Sequence, residues 1–316
     1  MRGVDPIGSI HTVAQLNGAT VVALLAEVGI SVETADVEIE RRDWRWIVRA
    51  WNRTLIVPSD DCGAARLLRE RQLLATLAPR LSFAIPVPLG AIEGPLDLRT
   101  RIEGDTGMHR HWATLEDPVR ADAYADDIAR VFIELHTALK PEEARRLVGP
   151  PLADSYPLPA SELRLIVPTL PAEIQDRVVA ALDCYAAESA DEADVVLVHG
   201  DIGTHNFVFD VSTGRVVGVI DFEEASLRDR HYDLKYLPSY GPEVMTRVLD
   251  QYRARTGAAI SVGRIRLLHL ATALSFWHWR ERDPVDHDAR SGRTRDQALA
   301  WVGLATFALD RPGRSS

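Results

Sequence analysis

The chain has 316 residues, with 36 lysines and arginines against 46 aspartates and glutamates, a formal net charge of −10 and two cysteines. At roughly 150 residues per domain, this is enough for about two domains or lobes with full hydrophobic cores. An acidic chain without a basic tract lacks the electrostatic footprint of a nucleic-acid binder, and Cys62 and Cys184 are too isolated for a disulfide framework or a zinc ribbon. The most apolar stretch, Ala19 to Ile30, is interrupted by Glu27 and is too short to span a bilayer. The N-terminus, with Asp5 close to Met1, does not read as a signal peptide. The expectation is a soluble, cytoplasmic protein with neither nucleic acid nor membrane as partner.

In chain order, residues 12–29 read as an amphipathic helix ending at Gly29, and 37–48 then alternate apolar and polar residues as strands do, with Arg41, Arg42 and Asp43 as the turn. Residues 63–78 return to helical spacing through Leu67, Leu68, Leu73, Leu74 and Leu77. Pro86 and Pro88 break the chain before a strand-like run from Leu96 to Ile102. Beyond Gly104 the pattern is mostly helical, with helices expected over 119–139, 172–188, 242–256, 263–281 and 294–309, and a proline-rich connector between the first two. Trp277, His278 and Trp279 read as core and groove packing, with lining of a substrate pocket as the alternative. His109, Arg110 and His111 lack a carboxylate partner and read as a solvated helix start rather than a metal site.

The exception to the helical trend carries the chemistry. Val195 to Val198 is an apolar run that delivers His199-Gly200-Asp201-Ile202-Gly203-Thr204-His205-Asn206. Two further apolar runs, 207–209 and 216–220, flank a Ser-Thr-Gly turn and read as a β-hairpin. Asn206 enters that hairpin and Asp221 leaves it, so both side chains meet Asp201 at its open end. One base-like carboxylate, one amide and one further carboxylate suit phosphoryl transfer, which needs a group facing the acceptor hydroxyl and oxygen ligands for Mg2+ on the phosphates.

The motif His-Gly-Asp-x-x-x-x-Asn at 199–206, with Ile-Asp-Phe at 220–222 and Tyr-Asp-Leu at 232–234, resembles the aminoglycoside phosphotransferase family, most of all its 2″-phosphotransferase subgroup. The resemblance implies an α+β, bilobal, protein-kinase-like fold, with a small β-rich nucleotide lobe at 1–103 and a larger, mostly helical catalytic and substrate lobe at 104–316. It implies Asp201 as the catalytic residue, Asn206 and Asp221 as Mg2+ ligands, and His199 and Asp233 as structural supports of the catalytic loop. The cofactors would be Mg2+ and ATP or GTP, with Arg49 ion-paired to Glu70 on the phosphates and Leu98 and Thr100 completing the nucleotide contacts. Two features depart from the family. No lysine occurs before Lys140, so Arg49 stands where relatives carry lysine, and the phosphate-covering turn near 33–43 has no glycine.

Charge bears on the acceptor. Twelve acids and three arginines lie between Asp183 and Asp233, and Glu223 and Glu224 beside Asp221 are candidates to attract a cationic small molecule, in the first place an aminoglycoside. The motif does not separate this from kinases of choline, homoserine or macrolides, and a weakly catalytic nucleotide-binding module is the alternative from a different class. The segment from Asp221 to Asp233 is too short for a protein activation loop, which argues against a protein substrate.

Overall fold

The computed structural model describes residues 16–27, 29–42, 44–90, 96–106, 117–150, 156–188, 191–282 and 294–309. Asp43, the first residues of the helix expected over 12–29, and the cluster His109, Arg110 and His111 lie outside the described residues. The first lobe holds α1 (Gly18–Glu27) and an antiparallel sheet in the order β1 (Val37–Arg42), β2 (Arg45–Ala50), β3 (Arg53–Pro58) and β4 (Asp97–Thr100). β1 and β2 are the strands expected around 41–43, with Ile39 opposite Val48 and Arg42 opposite Arg45. Sequence periodicity does not reveal β3, because Leu55, Ile56 and Val57 are all buried and no polar residue alternates with them.

Helix α2 (Asp61–Leu77) starts at Asp60, whose carboxylate accepts from the Gly63 N–H at 2.6 Å. Its Leu73, Leu74 and Leu77 join Phe83 and Ile85 in the core of the second lobe, whereas the sheet has its own core of Val21, Leu25, Val48, Leu55, Val57 and Leu98. The helix therefore belongs by packing to the second lobe while its inner face looks at the sheet, and Glu70 sits on that face.

The second lobe is built from α3 (Pro118–Ala138), α4 (Pro141–Leu147), α5 (Ala172–Ala187), α6 (Pro242–Thr256), α7 (Val262–Arg282) and α8 (Arg295–Ala308). Their ends carry recognisable signals. Prolines open α3 and α6, Gly257 at φ 69° closes α6, and Thr294 and Gln297 form a capping box on α8. Two small antiparallel pairs interrupt the helices, β5 (Val195–Val198) with β8 (Ser226–Asp229) and β6 (Phe207–Phe209) with β7 (Val216–Val219). The second pair is the hairpin read from the sequence. It is stitched to the segment before β4, since Ala84 N–H donates to Val217 O and Val219 N–H donates to Ala84 O, both at 2.9 Å. Gly218 permits this approach, because a Cβ there would lie 2.7 Å from Ala84 O.

Candidate active site

The loop after β5 turns sharply at Gly200, where φ is 91° and a Cβ would stand 2.7 Å from the Glu224 carbonyl oxygen. That turn brings Asp201 to the mouth of the β6–β7 hairpin. The Asn206 amide nitrogen donates to Asp201 O at 2.7 Å and lies 3.3 Å from Asp201 Oδ2, while Ile220 N–H donates to Asn206 O at 3.0 Å. Asp221 leaves the hairpin in the left-handed region, at φ 68° and ψ 63°, a conformation that aspartate tolerates better than most residues. Asp201, Asn206 and Asp221 all line one cleft of about 1390 Å³ whose walls come from both lobes.

Buried groups hold this loop from behind. Asp233 is fully buried and accepts from the backbone N–H groups of His199 and Gly200, both at 2.9 Å, with His136 Nε2 3.0 Å away. His199 is also buried, and its Nε2 lies 2.9 Å from Ile220 O, tying the loop to the residue before Asp221. Lys235, likewise buried, donates through Nζ to the carbonyl of Gly200 and, at 3.2 Å, to that of Tyr156. The Tyr236 hydroxyl donates to Asp201 Oδ1 at 2.7 Å, and His205 Nε2 lies 2.9 Å from Asp201 Oδ2. Burial works against the charge of Asp201, but His205, Lys235 and the Tyr236 hydroxyl outweigh it and hold the carboxyl well below the usual carboxylate range.

Sequence reading does not find Lys235, Tyr236 or His205. The first two directly follow the short helical turn His231–Leu234 that carries Asp233, two and three residues on from it, and that spacing is the signal that could have pointed to them.

The first lobe departs from expectation. Arg49 does not pair with Glu70. Its guanidinium contacts Glu40 at 2.7 Å and Glu38 at 3.3 Å, both across the β1–β2 ladder. Glu70 instead accepts a two-pronged contact from Arg99 at 2.7 and 3.0 Å, and Arg99 also holds Asp97 at 2.7 Å. The cation that spans the cleft is Arg45, two residues before Ile47 on the same strand face. It contacts Asp221 at 2.7 Å, Glu223 at 3.2 Å and Glu70 at 3.8 Å. Burial opposes its charge, but Asp221, Glu223 and Glu70 together raise its pKa above the usual arginine range. Leu98 also departs from expectation. Its side chain lies in the core of the sheet, and its carbonyl accepts from Leu89 N–H at 2.8 Å, whereas Thr100 does line the cleft.

Glu223 is engaged within the protein, whereas Glu224 keeps one oxygen without a hydrogen-bond partner. Glu223 accepts from Trp44 Nε1 at 3.1 Å as well as from Arg45, and burial with the neighbouring Asp221 charge pushes it up to about 7. Burial, with Asp201 beside it, pushes Glu224 up to about 8. Trp277 is fully buried with its indole N–H on Thr169 at 2.9 Å, and Trp279 lines the cleft.

A four-stranded antiparallel sheet over a helical lobe, with a carboxylate-bearing loop and a β-hairpin at the junction, defines a kinase-like α+β fold. The chain belongs to the phosphotransferase enzyme family, whose sequence model matches residues 31–268. An aminoglycoside 3'-phosphotransferase of Streptomyces fradiae is 34% identical over 88 residues, which span 25% of this chain and 32% of that protein. Among solved structures, the GDP complex of aminoglycoside 2'-phosphotransferase-IIIa superposes with a TM-score of 0.67 at 18% identity, covering 92% of this chain and 98% of the other. The macrolide 2'-phosphotransferase from Brachybacterium faecium gives 0.60 at 20% identity, covering 93% and 99%. At these identities the structures speak for the fold alone. No described helix is long and apolar enough to cross a membrane.

Proposed function

We propose that the protein transfers the γ-phosphate of ATP or GTP to a hydroxyl of a small molecule of the antibiotic type named for its relatives, aminoglycosides and macrolides. The observation that carries this is the convergence of Asp201, Asn206 and Asp221 at one mouth of the cleft. The lobe up to about residue 103 would hold the nucleotide, and the lobe from 104 onward the catalytic loop and the acceptor.

The donor set fits Mg2+. Asn206 turns its nitrogen toward Asp201, which leaves Oδ1 for the cleft, and Asp221 adds a charged oxygen beside it. Asn206 and Asp221 would hold the ion, which supplies neutralisation of phosphate charge when bound. Asp201, kept ionised and fixed by Tyr236 and His205, takes the proton of the acceptor hydroxyl. The hydroxyl oxygen forms the new bond to the γ-phosphorus, the bond from that phosphorus to the β-phosphate oxygen breaks, and the nucleoside diphosphate leaves. Mg2+-dependent turnover of ATP or GTP, stimulated by an acceptor and yielding a phosphate ester by mass spectrometry, tests the reading. Nucleotide binding without any ester would favour the binding-module alternative.

In this reading Arg45, not Arg49, is the cation available to the nucleotide phosphates, beside the Asp221 carboxylate that would hold the metal. Arg45→Met is expected to weaken nucleotide binding by about 10- to 100-fold, the range of a lost charge-assisted contact. Arg49→Met should change it by less than about threefold, since Arg49 pairs only with exposed or half-buried carboxylates. Calorimetric titration with each nucleotide compares them, and the reverse order would return the role to Arg49.

A further inference from the structure

On the side of the helical lobe the cleft is lined by Tyr156, Thr272, Phe276, Trp279, Arg282 and Trp301, and this is the part available to an acceptor. Phe276 and Trp301 pack at 5.5 Å between ring centroids, and the Arg282 guanidinium stacks over the Trp279 ring at 5.4 Å. A polyamine acceptor needs carboxylates free to receive its ammonium groups. Among the described lining residues of this lobe the acids are Asp201, Asp221, Glu223 and Glu224, and three of the four are already engaged. Asp221 and Glu223 hold Arg45, and Asp201 holds Tyr236 and His205. Glu224 keeps one carboxylate oxygen without a hydrogen-bond partner, which leaves room for a single positive group. The cation on this side is Arg282, and it already stacks on one face of Trp279, a place that a substrate ammonium would otherwise take.

We infer that the acceptor is a large alcohol with a broad apolar face and at most one positive charge, seated against Phe276, Trp279 and Trp301, rather than a polycationic sugar. The inference rests on the phosphotransfer reading above and narrows its substrate class. A macrolide, whose lactone ring is apolar and whose amino sugar carries one basic nitrogen and hydroxyls, has this chemistry. The aromatic wall would contribute binding through area and ring contacts, while the hydroxyl reaches Asp201.

The test uses the full chain with erythromycin and kanamycin as probes. Binding is read by calorimetry in the presence of a non-hydrolysable nucleotide and Mg2+, and product by mass spectrometry. Erythromycin is expected to bind and to be phosphorylated with a lower KM than kanamycin. Trp279→Ala should raise the KM for erythromycin about tenfold with kcat and nucleotide affinity little changed, and Trp279→Phe should recover most of the loss. Tighter binding of kanamycin, no binding of erythromycin, or a Trp279→Ala protein with unaltered KM would each overturn the inference. Erythromycin bound but never phosphorylated would instead overturn the phosphotransfer reading and leave the apolar site standing.

Discussion

Replacing Asp201 with asparagine is expected to lower kcat by about a hundred- to ten-thousand-fold while nucleotide affinity stays within about twofold. The substitution keeps the shape of the side chain. Tyr236 O–H still finds an oxygen at the Oδ1 position, and the loop remains tied down by Asp233 and Lys235, which Asp201 does not touch directly. What is lost is the charge that takes the acceptor proton. The native carboxyl sits below the ordinary carboxylate range because His205, Lys235 and Tyr236 outweigh its burial. It therefore stays ionised throughout the neutral range, and this group introduces no loss of rate on the acid side until the pH falls below that of an ordinary aspartate. Steady-state turnover and nucleotide titration on the same preparation separate the two effects. An asparagine variant that turns over within about tenfold of the parent would remove Asp201 from the role of base.

The hairpin and its three polar residues were legible because local signals agree there. Two apolar runs around Ser212-Thr213-Gly214 permit little besides a hairpin, and its geometry places residues 206 and 221 at the same end whatever the rest of the chain does. The helices of the second lobe are legible for a similar reason, since proline, glycine and capping residues mark their ends. The first lobe is different. Arg45 and Arg49 lie on one strand, four residues apart and on the same face, so alternation alone makes them equivalent. What separates them is tertiary. Arg49 faces Glu38 and Glu40 of the neighbouring strand, whereas Arg45 stands close enough to the hairpin mouth to reach Asp221, 176 residues away in sequence. Arg99 likewise takes Glu70 because β4 pairs with β3 beneath α2, a register set by long-range pairing. The surroundings of the acids at 223 and 224 are hidden from the sequence for the same reason. Counted along the chain they suggest a negative patch, but packing gives one of them an indole and a guanidinium and leaves the other half-buried with an unpartnered oxygen.

Removal of the Asp233 carboxylate should have the largest effect on stability, about 3–5 kcal/mol for Asp233→Ala at neutral pH. The side chain has no exposure, and its two oxygens satisfy the N–H groups of His199 and Gly200 and face His136. Alanine would leave those two backbone donors buried beside a cavity, with Lys235 still drawing on the Gly200 carbonyl from the other side. Burial opposes the charge of Asp233, but the contacts from His136 and His199 outweigh it and lower its pKa in the folded state. A group whose pKa is lower folded than unfolded stabilises the fold above its unfolded value, near 3.9, and that contribution fades as the pH falls through the folded value. The difference between parent and variant, measured by urea unfolding, should therefore be constant from neutrality down to about pH 5 and shrink below about pH 4. Asp233→Asn, which keeps one acceptor oxygen, should fall between the two. A variant within about 1 kcal/mol of the parent at pH 7 would mean that the loop carrying Asp201 is held by Lys235 and the hairpin alone.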